Sequence, residues 1–255
     1  MSSFYDRADI YDLFEDEKRY NAYKKHWETV LENKDIHSVL DVSIGSGSVT
    51  LPILDLGIEL SGSDLSETML RKCQKKADNK QQKIELKCSD FRDLSCWKER
   101  QFDCVASTGN SLGYVCSEDV LKTLDQMDSL VKAGGYLYFD TRNWDKILKE
   151  KNRFYLYNPM YHGEHRVNVV QVWDYNSDGT VTFNILYTFE KDNQIFQKEM
   201  FEECYHPIGK EMLLNKLREM GYVDIEIKCF PAYFEMVEFE RIEWYCVIAR
   251  KPERS

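Results

Sequence analysis

Acidic, amide and guanidinium side chains in this chain follow short apolar runs, at the positions where strands are predicted to end. Asp41, Asp64 and Asp90 lie at the ends of the first three runs, and Asn110 and Arg142 follow the next two. Ligands of open parallel sheets bind at the carboxyl ends of the strands, so we expect these five side chains to converge. Carboxylates accept hydrogen bonds, and a guanidinium clamps an anion. The pattern predicts a site for a small polar ligand.

A glycine turn, within the stretch Ser38–Thr50, lies at the first of these strand ends. An apolar run precedes Gly45 and Gly47, and the start of a helix follows, so a ligand can lie against bare backbone. Asp64 follows Gly45 by 19 residues, where dinucleotide sites carry a ribose-binding acid. Thr50 replaces the third glycine of that fingerprint, and no Gly-Lys-Ser/Thr of a P-loop follows. The turn therefore predicts an adenosine site without the pyrophosphate fingerprint.

Apolar patterns along the chain predict the elements that position these residues. Strands are predicted at 39–42, 58–63, 84–88, 102–106, 136–140, 222–230 and 242–249. Helices are predicted over 20–31, from Ser66 onward, from Ser117 to Gly134-Gly135, and over 212–220. Strands that alternate with helices form a mostly parallel sheet with helices on both faces. The first helix is amphipathic, so we expect it to pack on this sheet.

The segment 151–206 has a different pattern. Apolar and polar residues alternate from Val181 to Phe189, and Asn176-Ser177-Asp178-Gly179 has the composition of a hairpin turn. We expect a small antiparallel sheet inserted into the parallel domain, with most of its aromatic side chains packed together.

The composition excludes several classes of protein. A net charge of −10 and a pI near 5.1 argue against a nucleic-acid partner, which would need a basic surface. We find no signal peptide and no apolar run of the ~18 residues that span a membrane, so a cytoplasmic protein without a membrane partner is expected. Eight cysteines without Cys-x-x-Cys spacing, and His162 and His165 in a strand-rich segment, predict reduced thiols and no metal.

Three successive strand ends carry motifs that resemble those of a known family. Leu40-Asp41 with Gly45-x-Gly47, Gly62-Ser63-Asp64-Leu65-Ser66, and Asp90-Phe91 resemble the class I S-adenosylmethionine-dependent methyltransferases; Ser43 and Ile44 depart from the usual small residue and cysteine. The resemblance implies an α/β fold: a Rossmann-like class I methyltransferase sheet with an inserted small antiparallel β cap. It implies a single methyltransferase domain over 1–255 and S-adenosylmethionine as cofactor, with S-adenosylhomocysteine as product.

The same resemblance assigns residues to the cofactor. They are Asp41, Gly45, Gly47, Asp64, Leu65, Asp90 and Phe91. The glycines would let the backbone approach the cofactor, and the first acid would brace their loop. The second acid would accept both ribose hydroxyls, and the third would accept from the adenine amino group, with the phenylalanine beside the ring.

Two further stretches resemble the glycine and glycine/sarcosine N-methyltransferases. They are Ser107-Thr108-Gly109-Asn110-Ser111 and Phe139-Asp140-Thr141-Arg142-Asn143-Trp144-Asp145. Those enzymes also have an inserted sheet followed by Tyr-x-Pro, here Tyr205-His206-Pro207. By this resemblance Arg142 would clamp the carboxylate of an amino-acid acceptor, Asn110 and the carbonyl of Gly109 would orient its amine, and Tyr205 would line the pocket.

The N-terminal segment also matches that group. Tyr5, Tyr11 and Arg19 occupy its lid positions, so 1–34 is predicted to form a lid and a helix. By resemblance Tyr5 and Arg19 would contact the cofactor, Arg19 at its carboxylate, and Tyr11 would face the acceptor. Ser107 and Thr108 would lie beside the cofactor, and 151–206 would cover the acceptor site.

Three functions stay open from the sequence. The leading one is methyl transfer from S-adenosylmethionine to a small-molecule acceptor. The best candidate for this acceptor is the amine of an amino acid or of a related carboxylated amine. The second is an O-methyltransferase of a small metabolite, with His206 as general base. The third is a catalytically silent cofactor-binding module that uses the aromatic cap as a partner interface. A homo-oligomer is left open.

Overall fold

The computed structural model of the chain describes residue 10, residue 13 and residues 15–253. Its helices are α1 (Glu17–Leu31), α2 (Glu67–Asn79), α3 (Ser117–Leu130), α4 (Trp144–Glu150) and α5 (Lys210–Glu219). Its strands are β1 (Ser38–Asp41), β2 (Glu59–Asp64), β3 (Glu85–Cys88), β4 (Phe102–Ser107), β5 (Val131–Arg142), β6 (Phe154–Leu156), β7 (Met160–His162), β8 (His165–Tyr175), β9 (Val181–Lys191), β10 (Gln194–Tyr205), β11 (Val223–Cys229) and β12 (Trp244–Arg250). Within these described residues, no helix is both long and apolar enough to cross a membrane.

The central sheet has seven strands in the order β11-β12-β5-β4-β1-β2-β3. The five strands from β5 to β3 are parallel, whereas β12 runs antiparallel to β5 and to β11. From β1 the chain proceeds outward through β2 and β3, then returns to the other side of β1 to form β4 and β5. The strand order thus reverses between β1 and β4, which is where open sheets of this kind bind ligands. The predicted mostly parallel sheet is confirmed.

The N-terminal helix α1 packs on this sheet, as its pattern predicts. It begins after Asp16, whose carboxylate accepts a hydrogen bond from the backbone N–H of Arg19, the usual N-cap arrangement. Trp27 on its inner face is fully buried, and its indole N–H donates to the carbonyl of Val49 at 2.8 Å. The helix therefore contacts the turn after β1 directly.

A buried histidine joins three distant parts of the chain. His26 of α1 accepts a hydrogen bond at Nδ1 from the backbone N–H of Ala232 (2.8 Å), so its Nε2 carries the proton that it donates to the Tyr138 hydroxyl (3.0 Å). Burial lowers the pKa of His26 to about 3, which keeps the ring neutral in this arrangement. Helix α1, strand β5 and the loop before β12 are tied together at this point.

A second, antiparallel sheet forms the cap. Its order is β10-β9-β8-β6, with β7 also paired to β8, which confirms the inserted antiparallel sheet. The predicted hairpin turn closes with hydrogen bonds between Asn176 and Thr180. The inner face of the sheet packs with Trp144, Trp173 and Phe183 in a separate hydrophobic cluster. Along each strand, residues of the outer face alternate with residues of this inner face.

Two predicted helices differ in the structure. Helix α3 ends at Leu130 rather than at Gly134-Gly135, because Val131 is already extended and pairs with Phe102 at the start of β5. At Gly135 a Cβ would lie 2.8 Å from the carbonyl oxygen of Asp103. This glycine therefore allows the close approach of β5 to β4 and does not end a helix. Apolar spacing alone could not reveal this change.

The helix predicted after the glycine turn is a short 3₁₀ helix, Leu51–Leu56. Pro52 supplies no N–H at its start, and Gly57, with φ +77°, ends it after six residues. Helix α4 was not predicted. Asn143 caps it by accepting from the backbone N–H of Lys146, a signal present in the sequence.

Candidate active site

One cavity of about 770 Å³ lies at the carboxyl ends of β1 to β4. It is lined by residues of the loops 42–49, 64–68, 89–92 and 108–115, and by Glu203 of the cap. The volume is within the roughly 300–1,000 Å³ of small-molecule pockets. The topological switch point and the cavity therefore coincide.

Asp41, at the end of β1, is fully buried behind this cavity. Its carboxylate accepts hydrogen bonds from the hydroxyls of Thr50 and Thr108 (2.7 Å for Thr108) and from the backbone N–H of Ser43 (3.1 Å). Burial raises the pKa of Asp41 to about 6, against the opposing effect of these donors. The arrangement joins the glycine turn after β1 to the loop after β4.

The two glycines of the turn differ in their surroundings. Gly45 lines the cavity with φ +55°, and a Cβ added there would meet nothing within 4 Å. Gly47, with φ +81°, is not among the lining residues, and its Cβ would lie 2.6 Å from Leu51 and 2.8 Å from Cys73. Gly45 thus leaves open space for a ligand, whereas Gly47 allows the turn to pack on the protein.

Asp64, at the end of β2, faces the cavity from the other side of the turn. One carboxylate oxygen accepts from the backbone N–H of Gly45 (2.9 Å) and the other from that of Ser66 (2.8 Å). Burial raises the pKa of Asp64. Since each carboxylate oxygen has two lone pairs, both can still accept from a ligand hydroxyl. Leu65 beside it lines the cavity with 70% of its surface exposed.

Asp90, after β3, is held by an arginine that follows it by two positions. Arg92 donates its backbone N–H (2.8 Å), Nε (3.0 Å) and Nη2 (2.6 Å) to the Asp90 carboxylate, and Nη1 to Asp119 (2.9 Å). The hydrogen bonds from Arg92 lower the pKa of Asp90. Phe91 also lines the cavity. Any ligand amino group at this end shares Asp90 with Arg92.

The loop after β4 is held by hydroxyl groups. Ser43 donates to the carbonyl of Thr108 (3.2 Å) and accepts from its backbone N–H (3.0 Å). Ser111 donates to the same carbonyl (2.7 Å), and Ser107 contacts the Ser43 hydroxyl (3.1 Å). Thr108 lines the cavity, whereas Ser107 is fully buried behind the loop.

A second buried acid, Asp140 of β5, holds the next residues of this loop. It accepts from the backbone N–H groups of Gly109 (3.1 Å) and Asn110 (3.2 Å), and from the indole of Trp244 (2.8 Å). Burial raises the pKa of Asp140 to about 7. Residues 108–110 are therefore fixed by carboxylates from β1 and β5.

Asn110 is buried between β4 and β5. Its side-chain oxygen accepts from the Thr141 hydroxyl and from the backbone N–H of Arg142, both at 3.0 Å. Its φ of +61° is in the left-handed region, where asparagine is favoured among non-glycine residues. Asn110 thus fixes the backbone from which the Arg142 side chain extends.

Arg142 reaches into the aromatic layer under the cap. Its guanidinium carbon lies 5.3 Å from the ring centroids of Trp173 and Phe183 and 4.8 Å from that of Trp244. Tyr205 packs at 4.5 Å from Phe183, and burial raises the pKa of its phenol to about 12. The site thus places a cation among aromatic faces, a favourable arrangement.

Comparisons with known proteins decide the family. A family model described as a methyltransferase domain matches residues 39–135. The glycine/sarcosine N-methyltransferase of Aphanothece halophytica is 30% identical over 218 residues, which cover 84% of this chain and 76% of that protein. The chain belongs to the class I S-adenosylmethionine-dependent methyltransferases. Its cofactor is S-adenosylmethionine.

Two further similarities extend over nearly the whole length of this chain. The glycine/sarcosine/dimethylglycine N-methyltransferase of Actinopolyspora halophila is 27% identical over 100% of this chain, which spans 43% of that protein. An S-adenosylmethionine-dependent methyltransferase from Clostridium acetobutylicum shares the fold, with a TM-score of 0.76 at 18% identity over 96% of this chain and 97% of the other.

The structure brings most residues predicted for the methyltransferase's cofactor to one cavity. Those that line it are Gly45, Asp64, Leu65, Asp90, Phe91 and Thr108. Asp41, Gly47 and Ser107 lie behind it. The guanidinium of Arg19 donates to the Tyr23 hydroxyl (3.0 Å) and is not among the lining residues. Tyr5 and Tyr11 lie outside the described residues.

Several residues that shape the site were not predicted. Arg92 follows Asp90-Phe91 directly, and Tyr114 lines the cavity and contacts the Tyr205 hydroxyl. Asp140 lies in a stretch that the resemblance covers, but no role was assigned to it. Glu203 is the buried one of two acids on the inner face of β10, the other being Glu199, and the alternation along this strand places both on that face.

We predict that the two glycines respond differently to alanine. Gly45→Ala places a methyl group in the cavity and should weaken S-adenosylmethionine binding at least about tenfold, at a stability cost of about 1 kcal/mol for backbone strain. Gly47→Ala adds overpacking, so its free energy of unfolding should fall by about 2–3 kcal/mol. Calorimetric titration and urea unfolding measure the two effects. Equal losses of affinity and stability in both variants would contradict these assignments.

Proposed function

We propose that this methyltransferase transfers a methyl group to the amine of a small carboxylated acceptor, an amino acid such as glycine or sarcosine. The observation that carries the proposal is Arg142, at the end of β5, with its guanidinium among three aromatic rings. Within the described residues it forms no ion pair with a carboxylate. A planar guanidinium in this state suits a ligand carboxylate, which it binds through two parallel hydrogen bonds.

The names of two relatives support the same acceptor. They are a glycine/sarcosine and a glycine/sarcosine/dimethylglycine N-methyltransferase. Asn110 has a positioning role in this proposal, because it holds the Arg142 backbone (3.0 Å). Tyr205 and Trp144, whose rings are 5.6 Å apart, would form the apolar wall of the acceptor pocket.

Methyl transfer requires mainly that the protein hold the two reactants in the right orientation. S-adenosylmethionine supplies an electrophilic methyl group when bound. Asp64 and the backbone at Gly45 would hold it, while the aromatic cap excludes water. Arg142 would fix the acceptor's carboxylate so that its amine points at the methyl group. Such orientation is a large part of the rate enhancement in bimolecular reactions, and a neutral amine needs no general base to attack.

A hydroxyl acceptor fits the site less well. It would need a base, and His206, the residue predicted for that role, is not among the residues that line the cavity. Its backbone N–H donates to the carbonyl of Gly113 (2.7 Å). We therefore place the O-methyltransferase second.

An acceptor screen tests the proposal. Release of S-adenosylhomocysteine is measured with amino acids, amines without a carboxylate, and phenols or hydroxy acids. Turnover of an amino acid supports the proposal. Turnover of hydroxyl compounds alone would favour the second function, and binding of S-adenosylmethionine without turnover of any compound would favour the silent module.

We predict that Arg142→Lys raises the KM for the amino-acid acceptor at least about tenfold, a loss of about 1.4 kcal/mol. The lysine keeps the charge but cannot form two parallel hydrogen bonds. The dissociation constant of S-adenosylmethionine should stay within about twofold, because Arg142 does not line the cofactor cavity. Steady-state kinetics and calorimetry measure both.

Arg153→Lys is the matched control for this prediction. Arg153 is an exposed arginine of the cap that pairs with Asp174, so its variant should behave as the wild type does. Equal loss of cofactor and acceptor binding in Arg142→Lys would show a structural role for Arg142 instead.

A further inference from the structure

Glu203 is a buried acid in the apolar inner face of the cap. Residues of one face alternate along a strand, so Glu203 of β10 lies between Phe201 and Tyr205, and it pairs across the sheet with Phe183. Only 7% of its surface is exposed, yet it lines the cavity beside the loop after β4. Glu203 is therefore an acid at the wall of the cavity, within the otherwise aromatic inner face of the cap.

Glu203 and Arg142 flank the same aromatic ring. The guanidinium carbon of Arg142 lies 5.3 Å from the centroid of Phe183, which is the cross-strand partner of Glu203. Both charges act on the Tyr205 phenol, whose pKa Arg142 lowers and Glu203 raises. An anion at the cavity wall and a cation in the adjoining aromatic layer thus lie next to one ring, an arrangement that suits a zwitterion spanning the two.

We propose that Glu203 binds the cationic nitrogen of the acceptor, so that Arg142 and Glu203 together select amino acids in their zwitterionic form. This inference rests on the proposed amine acceptor. It adds the second half of the recognition: the ammonium end has a carboxylate of its own in the cap.

The same carboxylate suits the transfer step. The ammonium nitrogen first releases one proton to solvent, and the lone pair that this frees forms the new N–C bond while the S–C bond breaks and its electron pair stays on sulfur. The positive charge therefore moves from sulfur to nitrogen. A carboxylate beside the nitrogen stabilises charge where it develops, and the N-methylated product keeps that positive charge.

Calorimetry on protein saturated with S-adenosylhomocysteine tests this without requiring turnover. Glycine is compared with glycolate, which keeps the carboxylate but carries a hydroxyl in place of the amine. Glu203→Gln should weaken glycine binding at least about tenfold and leave glycolate binding unchanged. Arg142→Lys should weaken both ligands. Glu203→Asp, which keeps the charge, should recover part of the glycine affinity.

Asp192→Asn is the matched control, because Asp192 is an exposed acid in the turn between β9 and β10. It should bind glycine as the wild type does. Equal glycine binding in wild type and Glu203→Gln, no amine binding in either, or loss of S-adenosylhomocysteine affinity in Glu203→Gln would overturn the inference. If wild type instead binds only an amine without a carboxylate, and Glu203→Gln loses it, the proposed amino-acid acceptor fails while the role of Glu203 stands.

A separate observation concerns the outer face of the cap. One apolar row crosses four strands in register: Leu156 pairs with Val170, Val170 with Leu186, and Leu186 with Met200. Leu156, Leu186 and Met200 are 79%, 37% and 54% exposed. An exposed contiguous apolar patch of this kind marks an interaction site.

The charges beside this row point to a second copy of the chain. Lys198 and Glu202 flank Met200 two positions away on either side, on the same exposed face. If two caps pack face to face about a two-fold axis along the row, Lys198 of each copy meets Glu202 of the other. We infer that the outer face of the cap is an isologous dimer interface.

Sedimentation velocity on the full chain tests the interface. Wild type should be a dimer. Lys198→Glu and Glu202→Lys should each be monomers, because each creates two like-charge contacts. An equimolar mixture of the two variants should restore the dimer, since one chain then carries two acids and the other two lysines. Lys75→Glu is the control and should stay dimeric, because Lys75 lies on the exposed face of α2. A monomeric wild type, dimeric single variants or a monomeric mixture would overturn the inference.

Discussion

The buried carboxylate of Asp41 is the interaction on which the rest of the site depends. A carboxylate this deep would be strongly unfavourable without donors, and the chain supplies three, from Ser43, Thr50 and Thr108. Two of them belong to the turn after β1 and one to the loop after β4. The acid therefore fixes the two loops that face each other across the reversal of strand order.

A second buried acid extends this arrangement. Asp140 holds Gly109 and Asn110 from β5, so consecutive residues of one loop are bound by acids from strands on its two sides. Asn110 in turn holds the backbone of Arg142. The cavity and the backbone of Arg142 are thus connected through the same short loop. The precise placement that transfer between two bound molecules requires follows from these hydrogen bonds.

The cap adds charges to an apolar layer. Its inner face is mostly aromatic, and Arg142 from the parallel sheet and Glu203 from β10 are the charged groups that flank Phe183. In the proposed function the parallel sheet would supply hydrogen-bond partners for adenosine, and the cap would surround the acceptor. This division explains how one cofactor fold can serve different acceptors, since a changed cap leaves the cofactor loops intact.

Much of this organisation was predictable from strand ends. Asp41, Asp64 and Asp90 follow apolar runs, and parallel strands bring such residues to one edge. The surroundings of Gly45 and Gly47 could not be predicted to differ, because both are glycines in one turn and only the contacts of Gly47 with Leu51 and Cys73 distinguish them.

Other features depend on contacts between distant residues. Arg92, in the loop after β3, binds both its near neighbour Asp90 and Asp119 of helix α3. Helix α3 ends where Val131 pairs with strand β4. Apolar spacing and local composition do not predict these contacts, because they depend on residues that are distant in the sequence and meet only in the folded chain.

Binding of S-adenosylmethionine to wild type and to Asp64→Asn, measured by isothermal titration calorimetry, tests the central claim most directly. Asp64 joins the glycine turn to the start of α2 through both of its carboxylate oxygens, and it lines the cavity. Wild type should bind with a dissociation constant between about 1 μM and 1 mM, the range common for enzyme substrates, and Asp64→Asn should bind at least about tenfold more weakly. No binding to wild type, or equal binding to both proteins, would contradict the account.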